Sequence, residues 1–424
     1  MPTFRKPENE NYCATIVRIK NIIPLKNCDN VVATTIFGFQ AIVGKATQIG
    51  DAGIVFTTET QLSDAFAAAN NLYRHAERNG NPTLKGYLED NRRVRAVKFR
   101  GHVSNALFLP ISSLAFAGIT NKDIESLSDG DMFDQVNDIE ICRKYIVPTR
   151  GGMRSIPMQP KKISRVDKLH MPEHFDTANY FRNDRNIDPE TEIVVTQKLH
   201  GTSVRIGHTI VRRKLPLRDR IAQFFGVTVQ TTEHDYVFGS RKVIKDINNP
   251  NQQHYYETDI WTTEGKKLEG LVPENYLVFA ELVGWTAEGC AIQTDYTYNL
   301  PTGDCRLYVY RVAVLNHKGL TVDLSWNQVK EWCAQRNLLH VPELWRGKHK
   351  NFKVSDWLDK KFHLEHPQAV MVDKQSIDEG VCIRVDALTP QIYKAKSPKF
   401  FEYETALLDK EVVDLESVGV ETIA

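Results

Sequence analysis

Period-two alternation dominates the first third of the chain. Cys13 to Ile19 alternates apolar and polar, Val31 to Val43 is rich in Val, Ile, Thr and Phe, and Gly53 to Thr58 is a further short apolar run. Turn residues separate these runs at Asn27-Cys28-Asp29-Asn30 and Gly50-Asp51-Ala52-Gly53. Gln61 through Arg78 predicts a helix. From Arg93 to Arg100 the period of two returns, with Val97 and Phe99 on one face and Lys98 and Arg100 on the other. Short strands plus one helix predict a small OB-like β-barrel over 1–145.

Arg143 to Lys168 breaks the pattern. It holds Pro148, Gly151, Gly152, Pro157 and Pro160, and eight Lys or Arg against the single acid Asp167. This predicts a basic linker over 146–168. A second domain follows over 169–424. Its predicted strands are Glu192–Thr196, Ser203–Gly207, Tyr276–Leu282, Arg306–Val314, Gly380–Val385 and Gln391–Ala395. Ser325, with Gln328 three residues on, predicts the N-cap of a helix to Gln335. Another helix is expected from near Ser355. The acidic tail from Glu402 predicts a terminal helix or frayed end.

With 424 residues, the chain suits two or three domains. The net charge of +1 gives no global attraction to polyanions, so any such site must come from local clustering. No apolar run is long enough to span a membrane, the N-terminus lacks a signal-peptide core, and no membrane partner is expected. Seven cysteines without a Cys-x-x-Cys pair suit free thiols in a reducing intracellular compartment, cytoplasmic or similar.

Candidate chemistry lies in the second domain. Lys198 stands in Gln197-Lys198-Leu199-His200-Gly201-Thr202-Ser203. An amine attacks phosphorus only after losing its proton, and nearby cations promote that loss. Lys394 and Lys396 share a strand face and could supply the charge while binding phosphate. Gly201 permits a close backbone turn, and Ser203 can donate to phosphate or sugar. Glu281 and Glu379 are carboxylates in apolar surroundings, where each needs a partner. A salt bridge, a sugar hydroxyl or a hard divalent ion would serve. Tyr308 and Tyr310 lie two apart on a strand; Tyr310 is favoured for stacking on a base. Arg92, Arg93, Arg95, Lys98 and Arg100 crowd one stretch, either as a solvated face or as a surface that tracks RNA phosphates.

The series is completed by Gly239-Ser240-Arg241 with Val243-Ile244-Lys245, Phe279-Ala280-Glu281, Leu307-Tyr308-Val309-Tyr310, Glu379-Gly380 and Lys394-Ala395-Lys396. In this order the motifs resemble those of covalent nucleotidyltransferases, most closely the RNA ligase family with an N-terminal OB domain, the fifth RNA ligase family. Pro172-Glu173-His174-Phe175 and Arg100-Gly101-His102-Val103-Ser104 are similar to that family too. The resemblance implies an α+β protein: an OB-like barrel, then an adenylyltransferase domain of antiparallel sheets and helices. It implies ATP and Mg2+ or Mn2+ as cofactors, and an RNA repair enzyme that joins 3′-OH and 5′-phosphate ends at nicks through lysyl-AMP. RNA or an RNA-containing nicked duplex is the expected partner of a monomer.

By the resemblance Lys198 takes AMP, with Lys394 and Lys396 assisting. Gln197, Leu199, Gly201, Ser203, Arg241, Glu281, Tyr310 and Glu379 join the two motif lysines around the nucleotide. Glu281 and Glu379 hold metal, and Lys98 and Arg100 bind RNA. His200 departs from the Asp of many ligases, and Tyr310-Arg311 from Phe-Asp. DNA ligases and capping guanylyltransferases share this core but carry their OB domain after the last motif. Only 28 residues (424 minus 396) follow Lys396, which favours RNA ligase. An inactive RNA-binding scaffold is the other alternative.

Overall fold

The structure is a computed structural model that describes residues 2–120, 123, 126–146, 165–175, 177–246, 256 and 258–410. Residues 147–164 of the expected linker and 411–424 of the acidic tail lie outside these. The chain divides into two compact units. The first is Met1–Val147 with Ala178–Ile187 and Lys394–Val413, and the second is Pro148–Thr177 with Asp188–Tyr393 and Asp414–Ala424.

The first unit is rich in sheet. Its largest sheet orders Ala106–Pro110, Ala52–Thr57, Ala14–Arg18 and Met132–Phe133, all antiparallel. Ile16, Ile54, Phe56, Phe66, Tyr73 and Phe133 are buried in the cluster beside it. The apolar run from Val31 folds as a hairpin, Val31–Ile36 against Phe39–Gly44, rather than one strand. Phe37 and Gly38 both take positive φ at its turn, the geometry that matches strand twist in tight hairpins. Among the described residues no sheet of this unit closes into a barrel.

The helix expected over 61–78 is shorter. Thr60–Leu62 is a strand, Ser63 caps a helix over Asp64–Ala69, and Ala76–Arg78 is one 3-10 turn. Asn70 turns its side-chain amide back to the Phe66 carbonyl, and Asn71 adopts a φ of 55°. Both stop propagation, since Asn competes for backbone bonds and tolerates the left-handed region. The basic run also differs from its expectation. Val97–Phe99 pairs with His102–Ser104, and Arg100, at a φ of 48°, occupies the turn and does not continue the alternation. Arg93 is buried and paired with Asp409, Arg95 meets Glu89 and Asp409, and Lys98 meets Glu402 at 2.8 Å. Arg100 Nη1 donates to the Asn27 carbonyl at 2.7 Å. These cations are thus already matched within their own unit. Pro398–Asp409, which supplies the acids, is a helix with Pro398 in its first turn, where the missing N–H costs nothing.

The second unit has two sheets, antiparallel except where Leu339–His340 runs parallel to Cys305–Leu315. One orders Thr232–Gly239, Thr202–Arg212, Tyr276–Gly284, Cys305–Leu315 and Thr321–Asp323, with Leu339–His340 alongside Cys305–Leu315. The other places Glu192–Lys198 between Gly380–Val385 and Glu343–Lys348. The strand Gln391–Lys396 follows, and the division between the units falls inside it, after Tyr393. Helix Trp326–Ala334 carries the capping box expected from Ser325 and Gln328. It buries Trp326, Val329, Trp332 and Cys333. Near Ser355 there is only the 3-10 turn Val354–Trp357, whose N-cap side chain makes no bond. Trp345, Phe352, Trp357 and Phe362 pack in series there, so aromatic packing shapes the segment rather than helix periodicity.

Glu343 ties the capped helix to the second sheet. It accepts from Trp326 Nε1 at 2.9 Å, Lys330 Nζ at 2.5 Å and Arg346 Nε at 2.9 Å. Burial alone would raise this carboxyl, but Arg346 and Lys330 outweigh it and hold the pKa at about 2. A lowered folded-state pKa stabilises above the unfolded value and loses that stability as pH falls through the folded one. Glu343→Gln should therefore lower Tm at neutral pH and flatten the acid limb of stability between about pH 4.5 and 2. Thermal melts across that range check it; parallel wild-type and variant curves would refute the assignment.

Candidate active site

Lys198 is the last residue of its strand, and its Nζ donates to Glu379 Oε2 at 2.8 Å. Glu379 is 1% exposed and Lys198 15%. The pairing follows from register: Lys198 faces Gly380 across the antiparallel pair, so the residue before Gly380 meets the end of the Lys198 strand. Gly380 adopts a φ of 145°, a region that L side chains rarely enter. This explains the glycine of Glu379-Gly380. His200 Nδ1 also approaches Glu379 Oε2, at 4.0 Å.

The loop after Lys198 is held by its backbone. His200 N–H donates to the Tyr298 hydroxyl at 2.6 Å, Gly201 N–H donates to Glu281 Oε1 at 3.0 Å, and Gln293 Nε2 donates to the Gly201 carbonyl at 2.8 Å. A Cβ on Gly201 would lie 2.2 Å from the Leu282 carbonyl oxygen. Gly201 is thus required for close approach of two backbones. Glu281 sits opposite Ser203 on the neighbouring strand, and the Ser203 and Tyr310 hydroxyls meet at 2.9 Å. The register between Tyr276–Gly284 and Cys305–Leu315 pairs Phe279 with Arg311 and Ala280 with Val309. Tyr310 is the extra residue of that bulge, a device that re-aims a side chain. Its ring packs edge-on to His174. The structure therefore brings Lys198, Gly201, Ser203, Glu281, Tyr310 and Glu379 into one unit.

Other expected residues stand elsewhere. The Leu199 side chain is buried. Gln197 alternates to the face opposite Lys198 and is buried: its amide donates to Asp378 and the Val370 carbonyl, and Oε1 accepts from Val370 N–H at 2.8 Å. Its side chain is committed to the protein, not to a nucleotide. Arg241 lies in the turn after Thr232–Gly239, and Lys394 and Lys396 belong to the first unit, where Lys396 pairs with Glu404 at 2.6 Å. Among the described residues no group of three or more His, Cys, Asp or Glu is placed to hold a metal ion.

Several residues were not visible as functional in the sequence. Buried Arg205 donates to the Ser240 and Met171 carbonyls and so anchors the turn that carries Arg241; burial lowers its pKa to about 10. Arg311, where many ligases have Asp, forms a buried pair with Asp323 and stacks over Phe175 and Phe279. Burial pushes Asp378 up to about 6 against the N–H of Phe362 and the Gln197 amide.

The family model described as RNA ligase matches residues 191–396. The chain carries an RNA ligase domain. That match runs from beside the start of the Lys198 strand to Lys396, so it contains Lys198, Arg241, Glu281, Tyr310, Glu379, Lys394 and Lys396. The matched stretch is that of a ligase enzyme of the nucleotidyltransferase type. No curated protein matches it. Solved structures of Naegleria gruberi RNA ligase share its fold along most of its length. A lysine-to-alanine variant with ATP and Mn is 15% identical, covers 95% of this chain and 99% of its own, and gives a TM-score of 0.56. A second such variant with ATP and Mn is 17% identical over 92% and 98%, with a TM-score of 0.57. The form with PPi is 16% identical over 93% and 99%, also at 0.57.

Behind Lys198, Gln197 clips its strand to Asp378 and Val370. Gln197→Leu should cost about 2–3 kcal/mol, because it strands buried polar groups of Asp378 and Val370. Urea denaturation measures this, and an unchanged midpoint would show the clip to be dispensable.

Proposed function

We propose that the protein is an ATP-dependent RNA ligase that seals 3′-OH and 5′-phosphate ends, nicks above all, in RNA repair. The observation that carries this is the Lys198 amine at a strand end, bound to the buried Glu379 carboxylate inside an RNA ligase domain. In the first step the Lys198 amine, once deprotonated, attacks the α-phosphorus of ATP; a P–N bond forms and pyrophosphate leaves. In the second, a 5′-phosphate oxygen of RNA takes the adenylate and the P–N bond breaks. In the third, the 3′-OH attacks that 5′-phosphate, the phosphodiester forms, and AMP departs.

In the structure the Lys198 amine is engaged by the Glu379 carboxylate at 2.8 Å. The pair must open before the nucleophile exists. Glu379, Glu281 and the surrounding backbone then keep the amine beside its target. Ser203 and Tyr310, joined through their hydroxyls, suit the sugar and the base edge. Arg241, Lys394 and Lys396 would bind phosphates as cations. The Glu281 and Glu379 carboxylates are oxygen donors that fit a hard ion. Mg2+ or Mn2+ held there would neutralise developing charge on the phosphates. Naegleria gruberi RNA ligase structures with ATP and Mn support this choice of cofactors.

Residues 1–145 are the proposed RNA-binding module, OB-like in their strand-rich make-up, with 146–168 as the linker and 169–424 as the adenylylation domain. All seven cysteines are free, in keeping with a reducing intracellular location. The working form is a monomer.

ATP labelled at its α-phosphate tests the covalent step. Lys198→Ala should abolish label transfer, and Glu281→Ala or Glu379→Ala should lower it roughly 10²-fold. Label retained by Lys198→Ala would overturn the nucleophile, and transfer from GTP in place of ATP would point to capping chemistry. Removing Lys98 and Arg100 together should weaken binding of nicked RNA and flatten its salt dependence by up to about one unit of slope per lost contact. Adenylylation should stay near wild type. If adenylylation fell while RNA affinity held, the two units would not divide the work this way.

A further inference from the structure

Large apolar side chains cluster on the surface at one place in the second unit. The strands Thr202–Arg212 and Thr232–Gly239 form a long hairpin, closed by the helix Leu217–Phe224. Phe224 is 85% exposed, Phe225 75%, Leu217 72%, Val227 55% and Ile221 49%. None of the residues of this helix is buried.

Their spacing is ordered. Leu217, Ile221, Phe224 and Phe225 stand at i, i+4, i+7 and i+8, a single stripe about 100° wide on a helix. At 100° per residue, Arg218 flanks the stripe on one side and Arg220 on the other. The helix's one acid, Asp219, falls on the opposite face, where it is taken up by Arg213 and also approaches Arg218 Nε at 3.4 Å. Arg212, Lys214, Arg218 and Arg220 are exposed. The surface is therefore an apolar ridge between two cationic edges.

We infer that this helix is a docking surface for an anionic membrane surface, lying flat with its ridge among the acyl chains and its arginines at the headgroups. Three features favour lipid over nucleic acid. Leu217, Ile221 and Val227 have no π-face for a base to stack on, whereas nucleic-acid platforms use aromatic side chains. A straight ridge matches a planar interface. Long cationic side chains on both flanks can extend their heads to phosphate while their stems cover apolar surface. Such a helix needs no spanning segment, and among the described residues no helix is long and apolar enough to cross a membrane. Ser203 and Arg212 mark opposite ends of one strand, roughly 30 Å apart at the rise of an extended chain. A helix docked beyond Arg212 would leave the Lys198 end facing solvent.

Co-sedimentation of the full chain with phosphatidylserine–phosphatidylcholine vesicles tests the inference, with pure phosphatidylcholine as the control. Wild type should sediment with the anionic vesicles, lose most binding at high salt, and bind pure phosphatidylcholine at least ~10-fold more weakly. The double variants Phe224→Ser with Phe225→Ser, and Arg218→Glu with Arg220→Glu, should each lower binding ~10-fold or more. Both change only exposed positions, and thermal melts verify that each variant stays folded at the assay temperature. Failure of wild type to bind anionic vesicles would overturn the proposal. So would equal binding to both vesicle types. If these variants instead lost affinity for single-stranded RNA without any vesicle binding by wild type, the ridge would be a nucleic-acid surface. If they altered only sedimentation of the protein alone, it would be a self-association face.

Discussion

The antiparallel register between Glu192–Lys198 and Gly380–Val385 is the constraint on which the active site rests. Strand side chains alternate faces, so a slip of one residue exchanges the two faces completely. In the observed register Lys198 reaches Glu379 on one face while Gln197 reaches Asp378 on the other. Two adjacent residues of one strand thus meet two adjacent residues of the next segment, one pair polar and buried, the other chemical. Both sides must be satisfied together, which makes the slipped alternatives costly: each would bury an ammonium or orphan an amide.

A second layer of support is purely backbone. Gly201 and Leu282 approach as closely as two main chains can, and the loop between Lys198 and Ser203 is pinned by Tyr298, Glu281 and Gln293. The bulge at Tyr310 completes the arrangement from the adjacent strand. All of these contacts are made by the protein's own groups, an arrangement that amounts to preorganisation. Preorganisation of this kind lets electrostatic groups act without a reorganisation cost during reaction.

Much of the ligase domain was legible in the chain because its strands are long and strongly periodic. Gly380–Val385 agrees with its expected bounds, and the Ser325 cap forms both reciprocal bonds. The misreadings share a cause: a local pattern overridden by one residue or by packing. Asn70 and Asn71 stop the helix expected to run to Arg78. Phe37-Gly38 folds a run read as one strand, and Arg100 enters a turn instead of continuing an alternation. Aromatic packing displaced the helix expected near Ser355. Gln197 was read by its neighbourhood to Lys198, yet period two sends the two side chains apart. Arg205 and Asp378 carried no signal, because an Arg or Asp becomes an anchor only through partners distant in sequence. Arg93 and Lys98 looked like a free basic face for the same reason; Asp409 and Glu402 arrive some 300 residues later.

The way the loop after Lys198 is held bears on how this family tolerates change. Its three anchors are the His200 N–H, the Gly201 N–H and the Gly201 carbonyl, main-chain groups that do not depend on the side chain at 200 unless it is proline. Loop shape is thereby insulated from the identity of side chain 200. Selection can exchange an acid for an imidazole there, resetting local charge beside Glu379 without rebuilding the scaffold. Position 200 is a tuning point rather than a keystone, which is how a change of side chain there can leave the loop's shape intact.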